Sequence, residues 1–238
     1  DLLYTKNIYE VDWMNVNIAP ATVKTSGPDA RLVHSTTGNP TRFIYRTYGT
    51  TAAIRNPYAN VILIKNTNGP KGFAYNFTVA IDKQTKKGFQ FNASYGYGNS
   101  QVHNEGTSSI NTSNWLNMEA VSTRNNLPLS TSDFDMGHRI FGLVSKKFTY
   151  LKGKMATTIA FAYNGQSGQP YSYVMSGAAF IGDGGTFNDL MYIPASRAEM
   201  DLMSFVTNGT LTPTQQKDQF EEFIQADKYM SKNRGKFA

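Results

Sequence analysis

Between Phe73 and Gly98 nearly every second residue is bulky and apolar, and the residues between them are small and almost uncharged. Odd positions read Phe73, Tyr75, Phe77, Val79 and Ile81, then Phe89, Phe91, Ala93, Tyr95 and Tyr97. Even positions read Ala74, Asn76, Thr78, Ala80 and Asp82, then Gln90, Asn92, Ser94, Gly96 and Gly98. Strand side chains alternate between faces, so the pattern predicts two consecutive strands with one bulky apolar face and one small polar face. Residues 82–88 (DKQTKKG) join them as a short polar turn. The pattern returns at Met155, Thr157, Ile159, Phe161 and Tyr163, against Ala156, Thr158, Ala160, Ala162 and Asn164, after a second short turn over 150–154. Residues 138–149 predict its partner strand, but Ile140, Gly142, Val144 and Phe148 share one face while Phe141 and Leu143 take the other, which predicts a bulge or a packed lumen. A fifth strand is expected over 8–18, from Met14, Val16 and Ile18, and residues 60–66 are expected to extend the Phe73 strand, with 68–72 as a kink.

Most alternating strands belong to soluble antiparallel sheets. Three features favour a membrane instead. The non-apolar face carries Ala, Asn, Thr, Ser, Gly and Gln where a solvated face would carry Lys and Glu. The strands reach the ~10 residues that cross a bilayer at a tilt. Aromatic residues, 13% of the chain, collect at strand ends: Tyr95, Tyr97 and Tyr163 at one end, Phe89 and Phe148 at the other, as in the two interfacial girdles of a barrel. Helical spans are excluded, because the longest aliphatic run is Val61-Ile62-Leu63-Ile64. With no Cys, there is no disulfide or thiolate chemistry, and His34, His103 and His138 are too scattered for a zinc cluster. The net charge of +6 includes no basic run dense enough for a nucleic-acid groove.

Connections alternate in length. Residues 82–88 and 150–154 are short and carry or adjoin Lys83, Lys86, Lys87, Lys146, Lys147, Lys152 and Lys154; residues 19–60, 99–135 and everything after 165 are long. Soluble domains seldom carry several long loops, whereas transmembrane barrels have short periplasmic turns and long extracellular loops. The last segment predicts small helices: Ser196-Arg197-Ala198-Glu199 and Thr212-Pro213-Thr214-Gln215 have the capping-box spacing. Phe220, Phe223, Ile224 and Asp227 follow at helical spacing, and Gly235 is placed to end that helix.

A further set of segments carries a family likeness. Thr107-Ser108-Ser109 with Ser113-Asn114-Trp115, residues 134–140 (FDMGHRI), 163–173 (YNGQSGQPYSY), 188–194 (NDLMYIP) and 223–236 (FIQADKYMSKNRGK), in that order, resemble the late barrel region of Oar-like TonB-dependent outer-membrane transporters. The likeness runs from about Asn60 onward. It implies an all-β fold, an antiparallel transmembrane β-barrel of 22 strands whose long extracellular loops contain short helices, of which residues 1–238 are a C-terminal part. A plug domain, the remaining strands and the segment that contacts TonB are expected outside this chain. The localisation implied is the cell outer membrane, with outer-membrane lipid and TonB as partners, a surface lipoprotein or other outer-membrane subunits as further ones, and no nucleic acid.

Catalytic residues are not expected. Gly165-Gln166-Ser167-Gly168-Gln169 misses the nucleophile-elbow pattern at its last position, and Asp133 and Asp135, two residues apart at a strand entrance, read as caps rather than an acid/base pair. Gly182-Asp183-Gly184-Gly185 with Asn188 and Asp189 offers either a calcium loop, the single cofactor considered, or a tight Gly-rich turn. Trp115, Tyr171 and Tyr173 are the substrate-binding candidates, facing a ligand at the extracellular mouth or belonging to the upper girdle. Two functions remain: import of a solute through a plugged barrel, or a structural or adhesion role for a transporter-like barrel in an outer-membrane complex.

Overall fold

The computed structural model describes residues 1–34, 60–67, 69, 71–177 and 180–238. Its elements in chain order are β1 (Leu2–Lys6), β2 (Val11–Asn15), β3 (Val23–Lys24), β4 (Leu32–Val33), β5 (Ile62–Asn66), β6 (Phe73–Gln84), β7 (Phe89–Val102), α1 (Asn111–Leu116), β8 (Ser130–Thr131), β9 (Gly137–Tyr150), β10 (Met155–Gln166), β11 (Val174–Met175), β12 (Asp189–Leu190), α2 (Arg197–Asp201), α3 (Pro213–Ala226) and α4 (Lys228–Lys232). The structure is mostly antiparallel β-sheet with a few short helices. Among the described residues, no helix is long and apolar enough to cross a membrane. The chain divides into two compact units.

The first unit (1–10, 66–105, 128–171) is built on one sheet with strand order β1-β6-β7-β9-β10 and β8 added to the end of β7. Registers are unbroken: Phe77 lies opposite Tyr97, Tyr95 opposite Ile140, and Val144 opposite both Phe91 and Phe161. The expected bulge in the 138–149 strand is therefore absent. Its even positions line up with the odd positions of β7 and β10, so Phe141 and Leu143 lie on the small face, beside Ser94, Asn92, Asn164 and Ala162. The fifth strand is also not the one expected. Leu2–Lys6 pairs with β6, Leu2 opposite Phe77 and Lys6 opposite Phe73, whereas 8–18 holds the turn after β1 and then β2, in the other unit.

Turn chemistry explains the two hairpins. Lys86, Lys87 and Gly88 form a three-residue loop closed by Thr85 N–H to Phe89 O (2.8 Å) and Gly88 N–H to Thr85 O (3.0 Å). Gly88 has φ +79°, and a Cβ there would meet Lys147 O at 2.8 Å, so glycine is required. The second turn places Leu151, Lys152 and Gly153 at φ 54°, 54° and 87°, a left-handed run that suits the strand twist but penalises its two non-glycine members. At the other end of the sheet the buried carboxylate of Glu10 gathers three segments: Oε2 accepts from Gly72 N–H at 2.7 Å and Oε1 from His103 N–H at 2.9 Å, while Glu10 O accepts from Thr67 N–H.

Among its described residues the second unit (11–65, 106–127, 172–238) has three small hydrophobic centres. One gathers Trp13, Ile18 and Trp115; another Ala120, Leu127 and Ile181; the third Ile193, Met200, Ile224, Met230 and Ala238. Here 60–66 does not prolong the Phe73 strand: β5 pairs with β2 in a sheet of its own, and two positions of the expected kink, 68 and 70, lie outside the described residues. Most of the long 19–60 connection also lies outside them. Thr212 and Gln215 make the full reciprocal capping box at the start of α3. Ser196 makes half of one: its Oγ accepts from Glu199 N–H, but the Glu199 carboxylate accepts from Ala195 N–H, one residue early, and from Tyr192 OH. The single helix expected after Thr212 is broken at Asp227, whose N–H closes α3 on Phe223 O while its side chain caps α4 through Tyr229 N–H (2.9 Å) and Met230 N–H (2.7 Å).

Candidate functional site

The sheet of the first unit is the feature with the largest chemical consequence. One face carries Phe77, Val79 and Ile81 on β6, Phe89, Phe91 and Tyr95 on β7, Ile140, Val144 and Phe148 on β9, and Ile159, Phe161 and Tyr163 on β10, all exposed, Phe161 at 75%. A side chain of this size left half in water forgoes roughly 1 kcal/mol relative to burial. Over this face the deficit is on the order of 10 kcal/mol, as large as the whole stability of a typical domain. Isolated exposed apolar residues need no explanation, but a face continuous over four strands does. At its two ends the face turns aromatic and polar. Tyr95 OH lies 2.7 Å from His138 Nδ1, and Tyr97 and His138 rings are 4.7 Å apart. At the short-turn end Lys146 Nζ lies 4.0 Å from the Phe89 ring centre, and Tyr150 OH pairs with Thr157 Oγ1 at 2.9 Å. From His138 to Phe148 the strand advances about 33 Å.

The opposite face is chemically different. Ala80, Ser94, Gly96, Gly98, Ala160 and Ala162 leave space, and Met136 enters it: its methyl would come within 3.2 Å of a Cβ at Gly98, and its sulfur lies 3.9 Å from Asn76 Nδ2. Phe141 and Leu143 supply the apolar surface on this face. Such a lining suits close approach of another chain or a solute better than it suits bulk water.

The second unit holds the buried polar centre that the sequence only half revealed. Asp183, Asn188 and Asp189 do converge, but on the guanidinium of Arg124. Nη1 pairs with Asp183 Oδ2, Nη2 with Asn188 Oδ1 (2.5 Å) and Asp189 Oδ1 (2.8 Å), and Nε donates to Met118 O (2.7 Å). The second oxygen of each carboxylate is used too: Asp189 Oδ2 accepts from Phe180 N–H (2.6 Å) and Ile181 N–H (3.1 Å), Asp183 Oδ1 from Gly185 N–H (3.0 Å). Gly185 lies so close to the guanidinium that a Cβ would meet Nη1 at 2.7 Å. The oxygens read as calcium ligands are thus ligands of an arginine, and among the described residues no group of three His, Asp or Glu stands ready for a metal. Beside this centre His34 is buried, with Nδ1 at 2.5 Å from Ala19 O and Nε2 at 3.2 Å from Thr123 Oγ1. Burial pushes its imidazole below the usual range, against the opposing pull of the Ala19 carbonyl and Asp183; Arg124 adds to the lowering.

Of the three substrate-binding candidates, Trp115 and Tyr173 lie in different hydrophobic centres of the second unit and Tyr171 belongs to the first. Trp115 is 1% exposed, packed with Trp13 and Ile18, and its indole N–H donates to Asn125 Oδ1 at 2.9 Å, so it is a core residue rather than part of a mouth. Tyr173 packs on the third hydrophobic centre, edge-on to Phe223, with its OH donating to Asp227 Oδ2 at 2.8 Å. The Met230 amide first, then this hydroxyl and the Tyr229 amide, hold the Asp227 carboxyl below its ordinary range. Tyr171 belongs to the other unit and is 75% exposed. Asp135 caps, accepting from Ser100 N–H at 2.7 Å, and Asp133 N–H donates to Glu105; Ser167 N–H donates to His138 O, and its Oγ accepts from His138 N–H at 2.9 Å.

Two residues escaped the sequence reading altogether. Arg124 gave no local signal, since its side-chain partners Asp183, Asn188 and Asp189 lie 59 to 65 residues away. Arg31 pairs with Asp29 at 2.6 Å and is clasped between the rings of Phe180 and Phe237, at 4.8 and 4.7 Å. No protein-family model, curated protein or solved structure matches the chain.

Proposed function

We propose that this chain is part of a plugged outer-membrane β-barrel that imports a solute with energy delivered through TonB. The observation that carries the reading is the continuous apolar face of β6, β7, β9 and β10 between aromatic ends; its length of about 33 Å along β9 would span about 25 Å at the tilt of about 40° that barrel strands take. A lipid bilayer removes its cost at once. The small neutral face then lines a lumen, and the edges β1 and β10, which have no further strand among the described residues, require more strands, because each unpaired backbone group at membrane depth costs several kcal/mol. The TonB-coupled plug, the 22 strands and the import activity rest on the family resemblance. Short turns at 85–88 and 151–154 belong on the periplasmic side and the long connections outside.

The test is made on the intact protein in cells. A maleimide that does not cross membranes is expected to label Ser109→Cys in the 99–135 connection and to spare Lys86→Cys; the reverse labelling overturns the sidedness. Uptake is then measured after deletion of the TonB-contacting segment upstream of the plug. Loss of uptake supports import.

The second reading, a structural or adhesion subunit, is favoured by one observation. The described parts of the long connections gather three hydrophobic centres and a buried ion-pair network, a folded platform suited to holding a surface lipoprotein or another subunit. Unchanged growth and uptake after the deletion, together with retention in a multiprotein complex, selects this reading.

A further inference from the structure

The charge of the chain is concentrated in one place. Of 23 Lys and Arg and 17 Asp and Glu, seven lysines and a single acid, Asp82, lie in or beside the two short turns. The other 16 cations are matched by 16 acids, so the entire excess of +6 resides there. The two turns adjoin because β7 and β9 are neighbours: Lys147 N–H donates to Gly88 O at 2.9 Å, and Lys146 Nζ to Lys87 O.

Two of these lysines stand on the apolar face itself. Register places Lys83 opposite Phe91 and Lys146 opposite Phe89, so the two flank β7 from either side, two strand spacings or about 10 Å apart across the sheet. Between them Phe89 and Phe91 stack at 5.9 Å, and Lys146 Nζ lies over the Phe89 ring and 5.7 Å from that of Phe148. Asp82 faces the other way, accepting from Asn92 on the small face at 3.1 Å, and leaves this rim unneutralised. A cation braced on aromatic rings, with a second lysine across the strand, at the margin of an apolar surface matches a molecule with an anionic head and hydrocarbon tails.

We propose that this rim binds an anionic phospholipid, with the phosphodiester headgroup held between Lys83 and Lys146 and the acyl chains running along Phe91 and Val144. The inference rests on the membrane reading above and adds a lipid class to it. The other five lysines supply a field that draws the headgroup, and Lys83 and Lys146 fix where it sits.

The intact protein is placed in nanodiscs of phosphatidylcholine containing a minor fraction of phosphatidylglycerol, and the lipids it retains are counted by native mass spectrometry. Retained lipid is expected to be enriched in phosphatidylglycerol. Each lysine at a membrane surface contributes about five-fold, so Lys83→Gln with Lys146→Gln should lower the enrichment about 25-fold. Lys152→Gln with Lys154→Gln, which keeps the headgroup contacts, should lower it less. Equal retention of both lipids by the native protein overturns the proposal. So does equal competition by glycerophosphoglycerol without acyl chains, which would make the rim a plain anion site, or loss of polyglutamate binding in the first variant without any lipid preference, which would assign it to an acidic protein. A fluorophore on Phe161→Cys, with a quencher carried in the lipid, separates the two levels. Quenching without lipid preference refutes only this inference; no quenching refutes the membrane reading as well.

Discussion

Replacing Arg124 by methionine tests whether the second unit is organised around a buried ion-pair network. The substitution removes the cation from Asp183 and Asp189, whose side chains are 0% and 3% exposed, and leaves the Met118 carbonyl without its donor. The carboxylates keep their amide donors from Gly185, Phe180 and Ile181, which softens the loss without cancelling two buried charges. Removing one partner of a buried pair costs about 3 to 5 kcal/mol. Arg124→Lys retains the charge but not the fork that reaches both carboxylates and Asn188, and should cost about half as much. The reporter is intrinsic: the two tryptophans of the chain, Trp13 and Trp115, are both buried in this unit, so their fluorescence on denaturation of the intact protein follows its unfolding. A deficit below about 1 kcal/mol would refute the argument.

Other expectations are local. Lys152→Gly relieves a left-handed residue (φ 54°) in the β9–β10 turn and should stabilise the folded protein by about 1 kcal/mol in thermal unfolding, whereas Gly88→Ala, at φ +79° against Lys147 O, should destabilise it by about as much or more. Thr212→Ala abolishes the capping box of α3 and should cost about 1 kcal/mol by denaturant unfolding. His34 titrates lower folded than unfolded, so the unfolded chain binds the proton first: stability is full above about pH 6.5 and should fall as pH drops through the depressed folded value. His34→Gln should remove that slope from the tryptophan-monitored unfolding curve.

What the sequence settled by itself is everything with a short period. Alternation in 73–81, 89–97 and 155–163 determined strands, faces and the two hairpins, because side-chain direction in a strand is fixed by the backbone two residues at a time. Caps at Ser196 and Thr212 were equally visible, since donor and acceptor lie within one turn. The tertiary structure decided what depends on distant partners. Leu2–Lys6 became an edge strand because β6 offered it a register, and β5 left the Phe73 strand for β2. Trp115 looked like a residue for a ligand, and only the approach of Trp13 and Asn125 made it core. Asp183, Asn188 and Asp189 had the spacing of a cation site, and they hold a cation, but the arginine that supplies it lies about sixty residues earlier in a stretch with no periodicity to mark it. A local pattern records the geometry of the backbone, whereas a charge pair closed over a long loop exists only once the chain has brought its two ends together.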